Sequence, residues 1–230
     1  MSNTHNITAR VNPIQNPKGP TQAMASVTID GSIAINNLTV VEGKNGLFIG
    51  YPQTKDKDGN FNDLIDFQKD KETGKLTSEA VTLKKEISDV VLGLYKEGQR
   101  KTPDIEVTPK DYEIKAYITP LPKSETATKG IGTIQVGELM RINSVRVNEN
   151  KDTKKLFVAF SSYKDKQGDY RNIIHPVTKD MQEKVSTAVL SNYDGQLNWQ
   201  KHMAKKEQNK EIQAEKQGPQ KNVRDDDLPF

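Results

Sequence analysis

Basic and aromatic side chains are interleaved in two stretches of this sequence. One holds Lys44, Tyr51, Lys55, Lys57 and Phe61; the other holds Lys154, Lys155, Tyr163, Lys164, Lys166, Tyr170 and Arg171. Arg141 and Arg146 lie shortly before the second stretch. Cations can follow a phosphate backbone and aromatic faces can stack on unpaired bases, at about 1–3 kcal/mol per base. The pattern therefore fits a sequence-tolerant grip on a single nucleic-acid strand. Two plainer readings stand beside it. Lys55-Asp56-Lys57 and Lys164-Asp165-Lys166 precede glycines and read equally as solvated turns. Phe61 and Tyr170 read equally as core residues, because strand aromatics are commonly buried.

Other chemistry finds little support. The chain has three histidines, His5, His175 and His202, and no cysteine. The missing thiols remove disulfides, thiol nucleophiles, Fe–S clusters and thiolate zinc sites. His175 ends an apolar strand before Pro176 and reads as structural. There is no Gly-x-Ser-x-Gly elbow, Walker loop or His-Glu-x-x-His. Lys129-Gly130-Ile131-Gly132-Thr133 is glycine-rich, but it enters a strand and lacks the helix N-terminus that holds a phosphate. Asp225, Asp226 and Asp227 form an acidic run that would make only weak, hydrated Mg²⁺ contacts. No enzyme activity, cofactor or resident metal is expected.

Those side chains must be carried by a scaffold of 230 residues, enough for one large or two small domains. Lys plus Arg is 34 and Asp plus Glu is 31, for a net charge of +3, so a nucleic-acid site requires local clustering. Hydrophobic residues make up 33% and mean hydropathy is −0.78, which points to a solvated tail beside a folded part. No apolar run is long enough for a membrane span, and Met1 to Pro13 has no signal-peptide core, so the expected location is the cytoplasm.

The scaffold is repeated. Leu47, Phe48, Lys55, Asp56, Lys57, Gly59 and Ile65 recur unchanged 109 residues later as Leu156, Phe157, Lys164, Asp165, Lys166, Gly168 and Ile174. Ala23, Ala25, Val27 and Ile29 alternate with polar residues, the period of a half-buried strand, and Asp30-Gly31 is a hairpin turn signal. Ile33 and Ile35 share one phase, Leu38 and Val40 the other, which predicts a bulge at Asn36-Asn37. In the second copy Met140 and Ile142, then Val145 and Val147, slip at Asn143-Ser144. Each copy closes on a helix. Leu83, Ile87, Val90, Val91 and Leu94 share one helical face, as do Met181, Val185, Ala188, Val189 and Asn192. An extra polar loop, roughly Gln68 to Ala80, belongs to the first copy alone. The expected architecture is α+β: unit 1 over 5–98, a proline-containing linker over 99–111, and unit 2 over 112–195. Each unit is an antiparallel sheet with a C-terminal helix packed on one face.

The run Asp165 to Val177, followed by Lys184 to Tyr193, resembles the stage V sporulation protein G (SpoVG) family. Asn45 to Ile49 resembles the same family's central strand. The resemblance covers most of 5–195. It implies nucleic-acid binding and sheet-to-sheet dimerisation, so two joined units would form an intrachain pseudo-dimer. The copies differ: Asn62 stands where unit 2 has Arg171, and Asp66-Phe67 where it has His175-Pro176. Lys154-Lys155 replaces the Asn-Gly of the first copy. The implied contacts thus carry over better to unit 2.

After Trp199 the chain turns polar, reading over 196–224 as a solvated helix fading into a disordered tether. It ends Asp225-Asp226-Asp227-Leu228-Pro229-Phe230, which closely resembles the acidic tip of bacterial single-stranded DNA-binding proteins (SSB). Phe230 offers an apolar anchor and a carboxylate, Pro229 limits the ordering cost, and the Asp residues steer toward basic pockets. An ordinary solubilising acidic end is the plainer alternative. Together the two resemblances imply a protein of a bacterium or mobile element that coats single-stranded DNA through its SpoVG-like units. Its tip would recruit replication, recombination or repair enzymes. Further copies of the chain are compatible partners; a membrane is not expected. Alternatives are a sequence-specific duplex-DNA or RNA regulator, and a protein–protein adaptor without nucleic-acid binding.

Overall fold

The computed structural model describes residues 4–165 and 167–216, with side chains up to Gln208. Unit 1 runs β1 (Ile7–Pro13), β2 (Thr21–Ile29), β3 (Ile33–Gly43), β4 (Gly46–Gly50), β5 (Gln53–Lys55), β6 (Phe61–Asp63), β7 (Ile65–Phe67) and α1 (Ser78–Lys96). Unit 2 repeats the order as β8 (Ile114–Pro120), β9 (Thr128–Val136), β10 (Met140–Glu149), β11 (Leu156–Ala159), β12 (Ser162–Lys164), β13 (Tyr170–Asn172), β14 (Ile174–Pro176) and α2 (Lys179–Lys216). All strand pairs are antiparallel, and one helix covers each main sheet, an α+β architecture.

The sequence periods explain these elements. Ala23, Ala25, Val27 and Ile29 point into the core, and the turn after them is made by Asp30 and Gly31, with φ of 46° and 62°. Both conformations suit the twist of a tight hairpin. In α1, Leu83, Ile87, Val91 and Leu94 are buried, and Thr77 caps the N-terminus by accepting from the Ala80 N–H. In α2, Met181, Val185, Val189 and Tyr193 are buried. Asn192 is used differently: its Oδ1 accepts from the Ile118 N–H at 2.8 Å and ties the helix to β8. The loop expected over Gln68 to Ala80 is shorter, because the helix already begins at Ser78. The glycine-rich stretch lies in β9. A Cβ on Gly132 would sit 1.9 Å from the Tyr117 carbonyl oxygen, so that glycine permits the β8–β9 approach.

Both slips in phase are bulges, and each has a second role. The register of β2 against β3 shifts between Ala25 and Val27, where Asn37 has φ 59°; that of β9 against β10 shifts between Ile142 and Val145, where Ser144 has φ 58°. Each bulge splits the outer edge of its long strand. Past the bulge, β3 pairs with β4 and β10 pairs with β11, within the unit. Before it, the edge receives a strand from the other unit: β14 joins β3 and β7 joins β10. The bulge asparagines hold these incoming strands. The Asn36 N–H donates to the Ile173 carbonyl at 2.7 Å and its Nδ2 to the Asn172 carbonyl at 2.8 Å. Asn143 does the same to Leu64 and Asp63, at 3.0 Å each. One buried apolar cluster runs through both units, including Ile35, Leu64, Ile142 and Ile174.

The segment 99–111 lies along unit 1. The Val11 N–H donates to the Arg100 carbonyl, the Thr102 N–H to the Ala9 carbonyl, and the Lys110 N–H to the Asp30 carbonyl. Buried Asp30 gathers hydrogen bonds from the Tyr112 hydroxyl, His5 Nδ1 (2.9 Å) and the Asn6 N–H (2.6 Å), so one carboxylate joins the N-terminus to the start of unit 2. Burial pushes this carboxyl up, but those hydrogen bonds outweigh it and hold it below its ordinary value. A carboxylate lowered on folding contributes stability above its unfolded value of about 4, and that stability fades as pH falls through the lowered value. Melting curves should therefore drop more steeply below about pH 4 in the parent than in Asp30→Asn. Equal acid slopes would show that Asp30 is not the group responsible.

Candidate nucleic-acid interface

The most prominent basic and aromatic groups sit on two hairpin arms that stand apart from the main sheets, β5–β6 and β12–β13. Phe61 is 67% exposed and Tyr170 72%, which removes the core reading for both. Each ring lies under a lysine of the facing strand: Lys55 Nζ is 5.4 Å from the Phe61 centroid and Lys164 Nζ is 5.1 Å from that of Tyr170. Residues paired across the hairpin make these contacts, Lys55 with Phe61 and Lys164 with Tyr170.

The arms are shaped by their turns. Asp56 Oδ1 accepts from the Asp58 and Asn60 N–H groups, and Asp165 Oδ1 from those of Gln167 and Asp169. The Asn60 N–H bond leads in holding Asp56 below the usual carboxylate range; for Asp165 the leading cause is the Arg171 guanidinium. Arg171 Nε is 2.9 Å from Asp165 and its second nitrogen 3.5 Å from Asp169. That hydrogen bond to Asp165 raises the Arg171 pKa further, and the side chain braces the turn. Lys57 is exposed at the first turn; Lys166 lies outside the described residues.

The remaining residues divide. Lys44 is exposed at the β3–β4 turn, and Lys154 and Lys155 at the β10–β11 turn, where Lys154 Nζ is 3.9 Å from Glu149. Tyr51 is no platform. It packs edge-to-face on Phe67 at 5.0 Å, and burial pushes its hydroxyl well above its ordinary range. Tyr163 is half-buried, lining a cleft of unit 1 with Met24 and Asn36. Arg141 and Arg146 stand on one face of β10, alternating with the buried Met140, Ile142, Val145 and Val147. Five residues apart, they would face opposite ways in a regular strand; the bulge at Asn143-Ser144 restores the phase.

On the sheets, sequence reasoning missed three exposed aromatics. Phe48 (51%) and Phe157 (45%) occupy equivalent outward places on β4 and β11, and Tyr117 (51%) projects from β8. The signal was present: Phe48 precedes the buried Ile49, and Tyr117 stands between the buried Ala116 and Ile118. Strict alternation sends each to the outer face. The acidic tip, Asp225 to Phe230, and the tether from 217 lie outside the described residues; α2 continues the polar segment as helix to Lys216. Among the described residues no His/Cys/Asp/Glu cluster could hold a metal, and no helix is long and apolar enough to cross a membrane.

The SpoVG family model matches the chain twice, over residues 5–97 and 112–195. The chain is also similar to proteins named "Putative septation protein SpoVG" from Staphylococcus aureus strains JH9 and Newman. Each is 32% identical over 95 residues, which is 41% of this chain and 84% of the relative.

Proposed function

Given that the chain belongs to the SpoVG family through both of its units, we propose that it binds single-stranded DNA as an intrachain counterpart of a dimer and recruits DNA-processing enzymes through its acidic tip. The duplicated arm carries this reading. Two exposed rings at equivalent positions, each beside a lysine ammonium, are what a sequence-tolerant strand binder requires: a face for a base and a cation for the neighbouring phosphate. The reciprocal exchange of β7 and β14 supports the dimer-like reading, since each sheet is completed by the other unit. The tip reading rests on the sequence Asp225 to Phe230 alone, and cytoplasmic location follows from the partners it implies.

A fluorescence-polarisation titration of labelled oligo(dT) against a duplex of equal length, at two salt concentrations, tests the proposal. The expected result is preference for oligo(dT), with a log–log salt slope of about −0.7 per phosphate contact. Equal or duplex-favouring binding would move the function to a duplex or RNA regulator. Absence of binding to either, with enzymes still retained on a column of the chain and lost on deleting the tip, would leave an adaptor.

A further inference from the structure

The two sheets share a backbone but not a surface. Ile7 faces Ile29 as Ile114 faces Val136, so residues 107 apart hold corresponding places on the first three strands of each sheet. On the side away from its helix, the unit 2 sheet presents Lys115, Tyr117, Arg141 and Arg146. The corresponding residues of unit 1 are Thr8, Arg10, Ala34 and Thr39. Three cations and an aromatic in one copy thus face a single cation in the other. An outward phenylalanine, Phe157 or Phe48, is common to both.

Two arginines, Arg141 and Arg146, lie on this face. Among the described residues neither takes part in an ion pair, and the Nε of each is buried without a hydrogen-bond acceptor. Arg141 instead lies against Tyr117, its guanidinium carbon 5.8 Å from the ring centroid. Asp66, its neighbour on β7, is engaged by Asn143 Nδ2 at 2.7 Å. A guanidinium without an ion-pair partner can donate charge-assisted hydrogen bonds to an incoming anionic oxygen. The loop found only in unit 1 borders the same face, with Lys69 and Lys71 lining clefts beside Lys115, Tyr117 and Arg141. The acidic members of that loop are not all free: Asp70 accepts from the Glu72 and Thr73 N–H groups.

We infer that the outer sheet face of unit 2 is a strand-holding surface and that of unit 1 is not. Phosphates of a single DNA strand are held by Arg141 and Arg146, with Lys115 at the border, and bases stack on Tyr117 and Phe157. This rests on the single-strand reading above and assigns it to one of two homologous faces. The complementarity is of charge and shape together: an open sheet with separated cations and flat rings suits splayed bases on a polyanion.

The test compares oligo(dT) binding by the full chain, by Arg141→Gln/Arg146→Gln, and by Arg10→Gln as the unit 1 control, with melting temperatures recorded for each. The double variant should lose at least about tenfold in affinity, and its log–log salt slope should flatten by about 1.4, two contacts at about 0.7 each. Arg10→Gln should match the parent. Ultraviolet crosslinking of the unaltered chain to oligo(dT), mapped by peptide mass spectrometry, needs no variant and should label Tyr117 or Phe157 but not Phe48. If the parent binds oligo(dT) while the double variant binds equally well, or if labelling of the sheets is confined to Phe48, the face assignment is overturned and the single-strand reading stands. If the parent fails to bind oligo(dT), both fall.

Discussion

Replacing Phe61 and Tyr170 together by alanine is expected to weaken oligo(dT) binding at least about 30-fold without disturbing the fold. Each ring offers one stacking face, worth about 1–3 kcal/mol, and the lower figure for both gives that factor. The rings are two-thirds or more exposed, so their removal leaves no cavity. Only the lysine–ring contacts are lost within the protein, at about 0.5–1 kcal/mol apiece for exposed pairs. The Phe61→Tyr/Tyr170→Phe exchange keeps both faces and should keep the affinity. Polarisation titrations of the three proteins decide the matter. An alanine variant that binds like the parent would show that the arms are not stacking platforms.

The second large effect concerns the exchanged strands. Leu64 is fully buried at the point where unit 1 sends β7 into the sheet of unit 2, and its carbonyl accepts from the Asn143 N–H. Leu64→Ala should cost about 2–5 kcal/mol, the range for a leucine truncated in a close-packed core. At roughly 2–4 °C per kcal/mol for a domain of this size, the melting temperature should fall by about 4–20 °C. Because one cluster spans both units, calorimetry should show a single peak moving as a whole. A peak that splits, with one half unmoved, would mean that the units melt independently and that the exchange contributes little.

Local periodicity made most of the architecture readable. Alternation located β2, β3 and β10, the spacing of Leu83, Ile87, Val91 and Leu94 located α1, and the shifts in phase located both bulges. What the bulges are for was not readable. That Asn36 and Asn143 grip a strand from the opposite unit depends on pairing between residues 73 to 143 positions apart, and nothing in a local pattern specifies it. The same limit applies to the segment 99–111. Its prolines and weak apolar pattern suggested a linker, whereas backbone hydrogen bonds to β1 and Asp30 fasten it down. Within the site, side-chain type identified the arms but not their exposure. A ring on a two-stranded arm has no second layer to cover it, and that could be known only once the arms were seen to leave the main sheets. Tyr51 went the other way: Phe67 supplied a neighbour that the one-dimensional pattern did not show.

The reciprocal exchange also changes how the molecule responds to dilution and to mutation. Two separate chains trading strands would be held together by mass action and would come apart at low concentration. Here the segment 99–111 supplies a fixed effective concentration, so completion of each sheet is independent of how much protein is present. A symmetric pair of identical chains must also carry every substitution twice, once on each face. A single chain is free of that constraint. Arginine at positions 141 and 146 can coexist with Ala34 and Thr39 at the corresponding places, and one surface can specialise while its twin keeps only the architecture.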